Sequence, residues 1–368
     1  MMTDPRLKKL ARILVEYSLQ LRTGDLFLIQ AGELCAPLVR GVFYEALLAG
    51  AHPYLRVALD GIAEILYKTA SDEQLTFVSD LQKLEIESIN AALTILGSHN
   101  TRNLSGVDPK RIALQKKAGK PLTEKMLKRI AEGSLRWCVT QYPTHASAQD
   151  AEMSLADYEE FIFAACALDQ ENPLQYWRDF EARQAKCIRF LSNCKSLQIQ
   201  AEDTNLSLRV EGRRWINCAG RENFPDGEIF TSPIEDTVNG EIRFSYPAVY
   251  QGREVEDVHL TFEKGQVVKV RAGKGLEFLR AMLEVDDGAP FVGEFAFGTN
   301  CGITRFTKNT LFDEKIGGTV HLALGASLPE SGGVNKSAIH WDMVCDMRKE
   351  SRISADGEVI YQNGEFLI

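Results

Sequence analysis

His340 and Asp342 stand two residues apart in the segment SAIHWDM, residues 337–343. Ile339, Trp341 and Met343 alternate with them, which is the pattern of a strand. Side chains two apart on a strand point to one face, so an imidazole and a carboxylate are presented side by side. His321 lies in GGTVHLALGAS, a short run too apolar for a casual surface position. Glu228 in FPDGEIFTSP and Glu294 in FVGEFAFGTN each follow a glycine and open an apolar run. Taken singly, His321 reads as a hydrogen-bonded core histidine and each glutamate as a strand-start residue. Taken together they are a candidate ligand set, because buried carboxylates are costly unless paired or coordinated. Imidazole and carboxylate donors suit zinc, cobalt or manganese. The five could hold one ion, or a pair about 3.5–4 Å apart that activates water for hydrolysis.

The elements that must position these residues differ between the two halves of the chain. Up to about residue 190, helical and strand patterns alternate. A helix near 5–21 leads to the strand DLFLIQAG; CAPLVRGVFYEALLAGA is helical and ends at Gly50. HPYLRVAL, AALTILGSHN and LRWCVTQYPT follow as further strands. This grammar predicts an α/β domain with a mostly parallel sheet and crossover helices over 1–190. From 191 to 368 the pattern turns to period two with turn signals, as in SLQIQAEDTNLSLRVEG. That predicts an α+β domain of largely antiparallel strands, which carries the metal site.

The totals narrow the classes. The chain has 368 residues, 45% hydrophobic and 25% charged, which is globular composition. A net charge of −9 argues against a nucleic-acid partner. No apolar run is long enough to span a bilayer, and the N-terminus reads as an amphipathic helix rather than a signal peptide. The eight cysteines form no CxxC pair, so reduced thiols in a cytoplasmic protein are expected. The first half has neither GxGxxG nor GxxxxGK, so no nucleotide site is expected there.

At these motifs the chain resembles the thermophilic-type metallo-aminopeptidases, the family of aminopeptidases T and S. The resemblance covers nearly the whole chain, and GEIFTSP, GEFAFGTN, NTLFDEK, HLALG and VNKSAIHWDM carry it. It implies metal ligands at Glu228, Glu294, His321, His340 and Asp342, the same five that the residue types select. It also implies two divalent ions (zinc, cobalt, manganese or magnesium), peptide substrates with a free N-terminus, and a homodimer. Glu294 is the candidate general base and Asp313 a candidate for the substrate's α-amine, against a plain turn role. Phe295, Phe297, Phe306 and Phe312 suggest an apolar substrate pocket, or core. One departure stands out: Leu328 occupies the place of a family tyrosine with a catalytic role, and Lys308 that of a second tyrosine. Leucine cannot donate a hydrogen bond, so activity about two to three orders of magnitude lower is expected unless Lys308 or a metal compensates. The alternative is an Fe(II)-dependent ring-cleaving dioxygenase of related fold, using His321, His340 and Asp342. A metal-binding relative with a weakened site is the third reading.

Overall fold

The computed structural model describes residues 4–368, and they fall into two compact units. The first comprises the chain to Leu174 together with Gly220–Phe224. Its sheet is built from β1 (Leu26–Gly32), β2 (His52–Ala58), β3 (Ala91–Leu96), β4 (Arg136–Gln141) and the short β8 (Asn223–Phe224), in the order β2-β1-β3-β4-β8. Every neighbouring pair is parallel, as the alternation of strands and helices requires. Helix α2 (Ala36–Leu48) connects β1 to β2, and α6 (Pro109–Ala131) connects β3 to β4. Phe27, Leu28 and Ile29 are all buried, so β1 is covered on both faces, as a central parallel strand must be.

The second unit comprises Gln175–Ala219 and Pro225–Ile368. The expected division at residue 190 falls at the end of helix α9 (Pro173–Leu191). That helix lies almost wholly in the second unit because Leu191, with Ile188 and Phe190 beside it, packs into this unit's core. Gly220–Phe224 belongs to the first unit because β8 pairs with β4.

Two main antiparallel sheets, with a two-stranded one of β11 (Ala248–Tyr250) and β12 (Arg253–Val255), build the second unit. The larger holds β5 (Ser196–Ala201), β6 (Thr204–Arg209), β10 (Asn239–Phe244), β13 (Val258–Glu263), β14 (Gln266–Arg271), β18 (Arg352–Ala355), β19 (Glu358–Gln362) and β20 (Glu365–Phe366). The smaller runs in the order β17 (His340–Asp346), β16 (Thr319–Gly325), β15 (Val292–Gly298), β9 (Glu228–Thr231), β7 (Ile216–Cys218). Its central strands β15 and β16 are buried at every position. Ile229, Phe295, Phe297, Val320, Leu322, Leu324, Trp341 and Met343 from this sheet join one hydrophobic core. Among the described residues no helix is long and apolar enough to cross a membrane.

Candidate metal centre

The strand register of the smaller sheet brings the five candidates together. Asp342 pairs with Ala323, and Ala323 pairs with Glu294 on the next strand. His321 pairs with Ala296, and Glu228 pairs with Gly298. By the period of two, Glu228, Glu294, His321, His340 and Asp342 all lie on one face of the sheet. Small side chains, Ala296 and Ala323, separate them and leave that face open for the donors. The opposite face carries the apolar residues of the core.

The glycine before each glutamate has a steric reason. Gly227 has φ +138°, and a Cβ there would stand 2.6 Å from the Asn300 side chain. A Cβ on Gly293 would meet the Ala326 carbonyl oxygen at 2.3 Å. A bulge between Val292 and Glu294 in the β15–β16 pairing then sets the glutamate's register.

The donor atoms form two overlapping groups, Glu228–Glu294–His321 and Glu294–His340–Asp342. His321 Nε2 lies 3.5 Å from Glu228 Oε2 and 3.4 Å from Glu294 Oε1. His340 Nε2 lies 3.3 Å from Glu294 Oε2 and 3.5 Å from Asp342 Oδ1. Glu294 therefore spans both groups, one oxygen facing each imidazole. Four-coordinate ions with bonds of about 2.0–2.2 Å need neighbouring donors about 3.3–3.5 Å apart, and these separations match. Both ring nitrogens of His321 and Oε2 of Glu228 are buried without a hydrogen-bond partner. Such orphaned polar atoms are uncommon in a folded chain, and a cation between them would satisfy them. His340 Nδ1 contacts the Ala326 carbonyl at 2.8 Å, which orients the ring with Nε2 toward the carboxylates. The residues fit a divalent ion in each group.

Electrostatics point the same way. Burial alone would strip the proton from His321, but Glu294 and Glu228 hold it, up to about 9. Burial likewise opposes charge on His340, yet Asp342 and Glu294 push it up to about 12. Burial would raise Asp342, but His340 and His321 hold it down at about 2. Glu294 is also held below its ordinary value, by the two imidazoles and against burial. Without metal, the chain balances three close carboxylates by protonating both imidazoles. Dications would take over that role.

The other expected site residues lie elsewhere. Asp313 is buried, and its Oδ1 accepts hydrogen bonds from Thr307 N at 2.7 Å and Thr307 Oγ1 at 2.9 Å. Its carboxylate is thus committed to the loop at 307–309, and it joins neither donor group. Burial pushes it up to about 7, against those hydrogen bonds. Lys308 pairs with Glu254 at 3.3 Å and has the left-handed backbone, φ 61°. The phenylalanine expectation resolves as core: Phe295, Phe297 and Phe312 are fully buried, the first two on the face away from the donors. Phe306 stacks on Tyr246. His259 faces Asp257 and His99 faces Glu33, each a single carboxylate.

Lys315 and Glu314 were missed by sequence reasoning. Lys315 Nζ lies 3.6 Å from Glu228 Oε1 and donates to Glu314 Oε2 at 3.0 Å. Burial pushes the Glu314 carboxyl up to about 8, with Lys315 opposing. A third group, Cys218–Asp226–Glu228, shares Glu228. Burial drives the Cys218 thiol well up, and Glu228 and Asp226 drive it further. The only sequence signal for Lys315 was its place in NTLFDEK, between the buried Phe312 and Ile316.

Comparison with known proteins supplies the context. The model of the thermophilic metalloprotease family, M29, matches residues 3–366. Aminopeptidase 2 of Geobacillus stearothermophilus is 30% identical, over 99% of this chain and 98% of its own. Aminopeptidase T of Thermus thermophilus is 27% identical, over 97% and 95%. Wild-type AmpT from Thermus thermophilus superposes with a TM-score of 0.85 at 25% identity, covering 99% of both chains. The 2,5-dihydroxypyridine dioxygenase of Pseudomonas putida KT2440 superposes with a TM-score of 0.57 at 13% identity, covering 98% of this chain and 96% of its own, a likeness of fold alone.

Proposed function

The chain belongs to the thermophilic metalloprotease family, M29, and from that premise we propose that it is a metallo-aminopeptidase. It removes the N-terminal residue from peptides with a free N-terminus, at a centre of two divalent ions. The observation that supports two rather than one is Glu294, whose oxygens each face a different imidazole and donor group. Glu228, Glu294 and His321 would hold one ion; Glu294, His340 and Asp342 would hold the other. Imidazole and carboxylate donors together suit zinc, cobalt or manganese better than magnesium. Bound ions would supply an acidified water and a polarised scissile carbonyl.

The chain's own residues do the rest. The Ala326 carbonyl fixes the His340 ring. Trp341 and Met343 pack into the core behind the donors and hold β17 rigid. Glu294 is the carboxylate nearest both donor groups and is our candidate to accept a proton from the attacking water. Lys308 remains a candidate substrate contact, since its left-handed backbone is a strain often found at functional loops. Asp313 we assign to holding that loop rather than to the substrate amine. A dioxygenase triad of His321, His340 and Asp342 is not how the donors group, because Glu294 joins each histidine.

Further features support the wider reading. All eight cysteines are free, in keeping with a reducing cytoplasm. The edge strand β2 and nearby helices expose Leu55, Val57, Leu59, Ile65, Phe77 and Leu81. So large an apolar surface fits a subunit contact, hence a homodimer. Sedimentation of wild type beside Val57→Lys tests it; a wild-type monomer at micromolar concentration would refute the dimer.

The deciding assay is hydrolysis of leucyl-p-nitroanilide by metal-stripped protein reloaded in turn with zinc, cobalt and manganese. Metal-dependent release of p-nitroaniline, despite Leu328, is the expected result. No release with any ion bound would overturn the aminopeptidase reading.

A further inference from the structure

Lys315 belongs to neither donor group, yet it is the one lysine among the described residues in the fully buried class, at 1% exposure. Its ammonium donates to Glu314 Oε2 at 3.0 Å and lies 3.6 Å from Glu228 Oε1. Glu228 is therefore divided. One oxygen faces a fixed positive charge; the other, Oε2, faces His321 Nε2 at 3.5 Å and has no hydrogen-bond partner. The backbone gives Lys315 little freedom to leave. Its N–H donates to the Phe312 carbonyl at 3.0 Å, and its carbonyl accepts from Asn300 N at 3.0 Å. The other donor group is built differently. Among the described residues, Asp342 has His340 at 3.5 Å and the Glu314 carboxyl for neighbours, with no lysine or arginine paired to it.

We propose that Lys315 is a positioning residue that makes the two ion subsites unequal. It holds Glu228 as a one-oxygen ligand, and its charge, beside a ligand the ion must share, weakens the Glu228–Glu294–His321 subsite. That subsite fills second and empties first, so the lysine sets the metal concentration at which the full centre assembles. The inference rests on the two-ion reading above. Like charges close together in a buried site are poorly screened, which is why one ammonium can separate two otherwise similar affinities.

The experiment is a cobalt titration of metal-stripped protein, followed by visible absorption and calorimetry. Wild type is expected to show two steps with dissociation constants at least tenfold apart. Glu228→Gln should remove the weaker step alone. Lys315→Met should tighten the weaker step at least tenfold and leave the tighter one within twofold; Lys315→Arg should keep both steps where they were. Circular dichroism checks that each variant folds, and Lys315→Gln replaces Lys315→Met if that one does not. Two equal steps in wild type, or a Lys315→Met protein whose weaker step is unchanged or weaker still, would overturn the inference while leaving two ions in place. One ion per chain would instead overturn the two-ion reading, and this inference with it.

Discussion

The two donor groups share Glu294 but sit in different surroundings. In the first, the His321 and Glu228 side chains are 1% and 8% exposed. In the second, His340 is 31% exposed and Asp342 12%. The first is a sealed site with a lysine behind it; the second has an imidazole edge that solvent, and hence a substrate, can reach. Coordination that is closed on one side and open on the other is the division expected between an ion shielded from substrate and one that meets it. The same face of one sheet thus offers two chemically similar ligand sets with unlike access.

The sharpest way to break the comparison is to remove what the groups share. Glu294→Gln removes the shared charge and replaces one of the two oxygens with an NH2 that cannot ligate an ion, leaving a neutral amide between two imidazoles. Peptidase activity should fall by at least about a thousandfold. Ion content measured by mass spectrometry should fall below two per chain. A variant that keeps two ions and most of its activity would remove Glu294 from the centre altogether.

Next come the histidines, one from each group. If Lys315 makes the sealed group the weaker one, His340→Ala should cost most of the thermal stabilisation that metal confers, and His321→Ala much less. A ligand at a hundred times its dissociation constant stabilises by about 2.7 kcal/mol, so differential scanning calorimetry with and without zinc resolves the loss. His340→Ala should also lower turnover, because its group is the one that solvent reaches. Equal losses of stabilisation in the two variants would erase the distinction between closed and open groups.

The metal-free chain offers a pH test. His321 and His340 are raised above their ordinary value of 6.5, to about 9 and about 12. A raised imidazole contributes stability that is fully present below the unfolded value and lost as pH rises through the folded one. Metal-free protein should therefore lose stability from about pH 6.5 upward, through about 9 for His321 and on toward 12 for His340, by on the order of several kcal/mol. Asp342, depressed to about 2 from 3.8, acts in the opposite sense: its contribution is lost as pH falls from about 4 toward 2. The combined contribution of these three groups should be greatest between these limits, near pH 4–6.5. Loading with zinc should flatten the alkaline limb, because ions replace the imidazole protons. Urea midpoints measured across pH with and without metal check this, and an alkaline limb unchanged by zinc would count against both histidines as ligands.

These contrasts also explain what was legible in the sequence. The five candidates that the sheet brings to one face were, because each leaves a local mark: period-two spacing at His340 and Asp342, a glycine before Glu228 and Glu294, an apolar run around His321. The parallel sheet was legible from alternating strands and helices. The side-chain alternation that put His340 and Asp342 together also puts Phe295 opposite Glu294, so the core reading of that phenylalanine was available from parity. Lys315 was not legible. In DEK it looks like a solvated charge run; Glu314 is its neighbour in sequence, and only the fold brings Glu228 of the distant β9 to its buried ammonium. Helix α9 was assigned to the first half because its periodicity says that a face is buried, not which core covers it.

The smallest expected effect concerns the loop rather than the strands, and it separates scaffold from substrate contact. Asp313 accepts two hydrogen bonds through one oxygen, Oδ1, both from Thr307. Asparagine can accept the same pair without the charge. Burial raises this carboxyl from 3.8 to about 7, so the folded chain holds its proton more tightly than the unfolded one and loses stability as pH rises through that interval. Asp313→Asn lacks that loss. It should match wild type below about pH 4 and be more stable at pH 8 by on the order of 1 kcal/mol, the burial penalty less the amide's weaker acceptance. If Asp313 only holds the loop, KM for leucyl-p-nitroanilide stays within about twofold. If the carboxylate instead binds the substrate's α-amine, a neutral amide cannot replace it, and KM should rise by about tenfold or more, as for a lost charge-assisted hydrogen bond of about 1.5–3 kcal/mol. A raised KM with unchanged stability at pH 8 would return Asp313 to the active site and narrow the contrast between a rigid metal face and a loop that merely frames it.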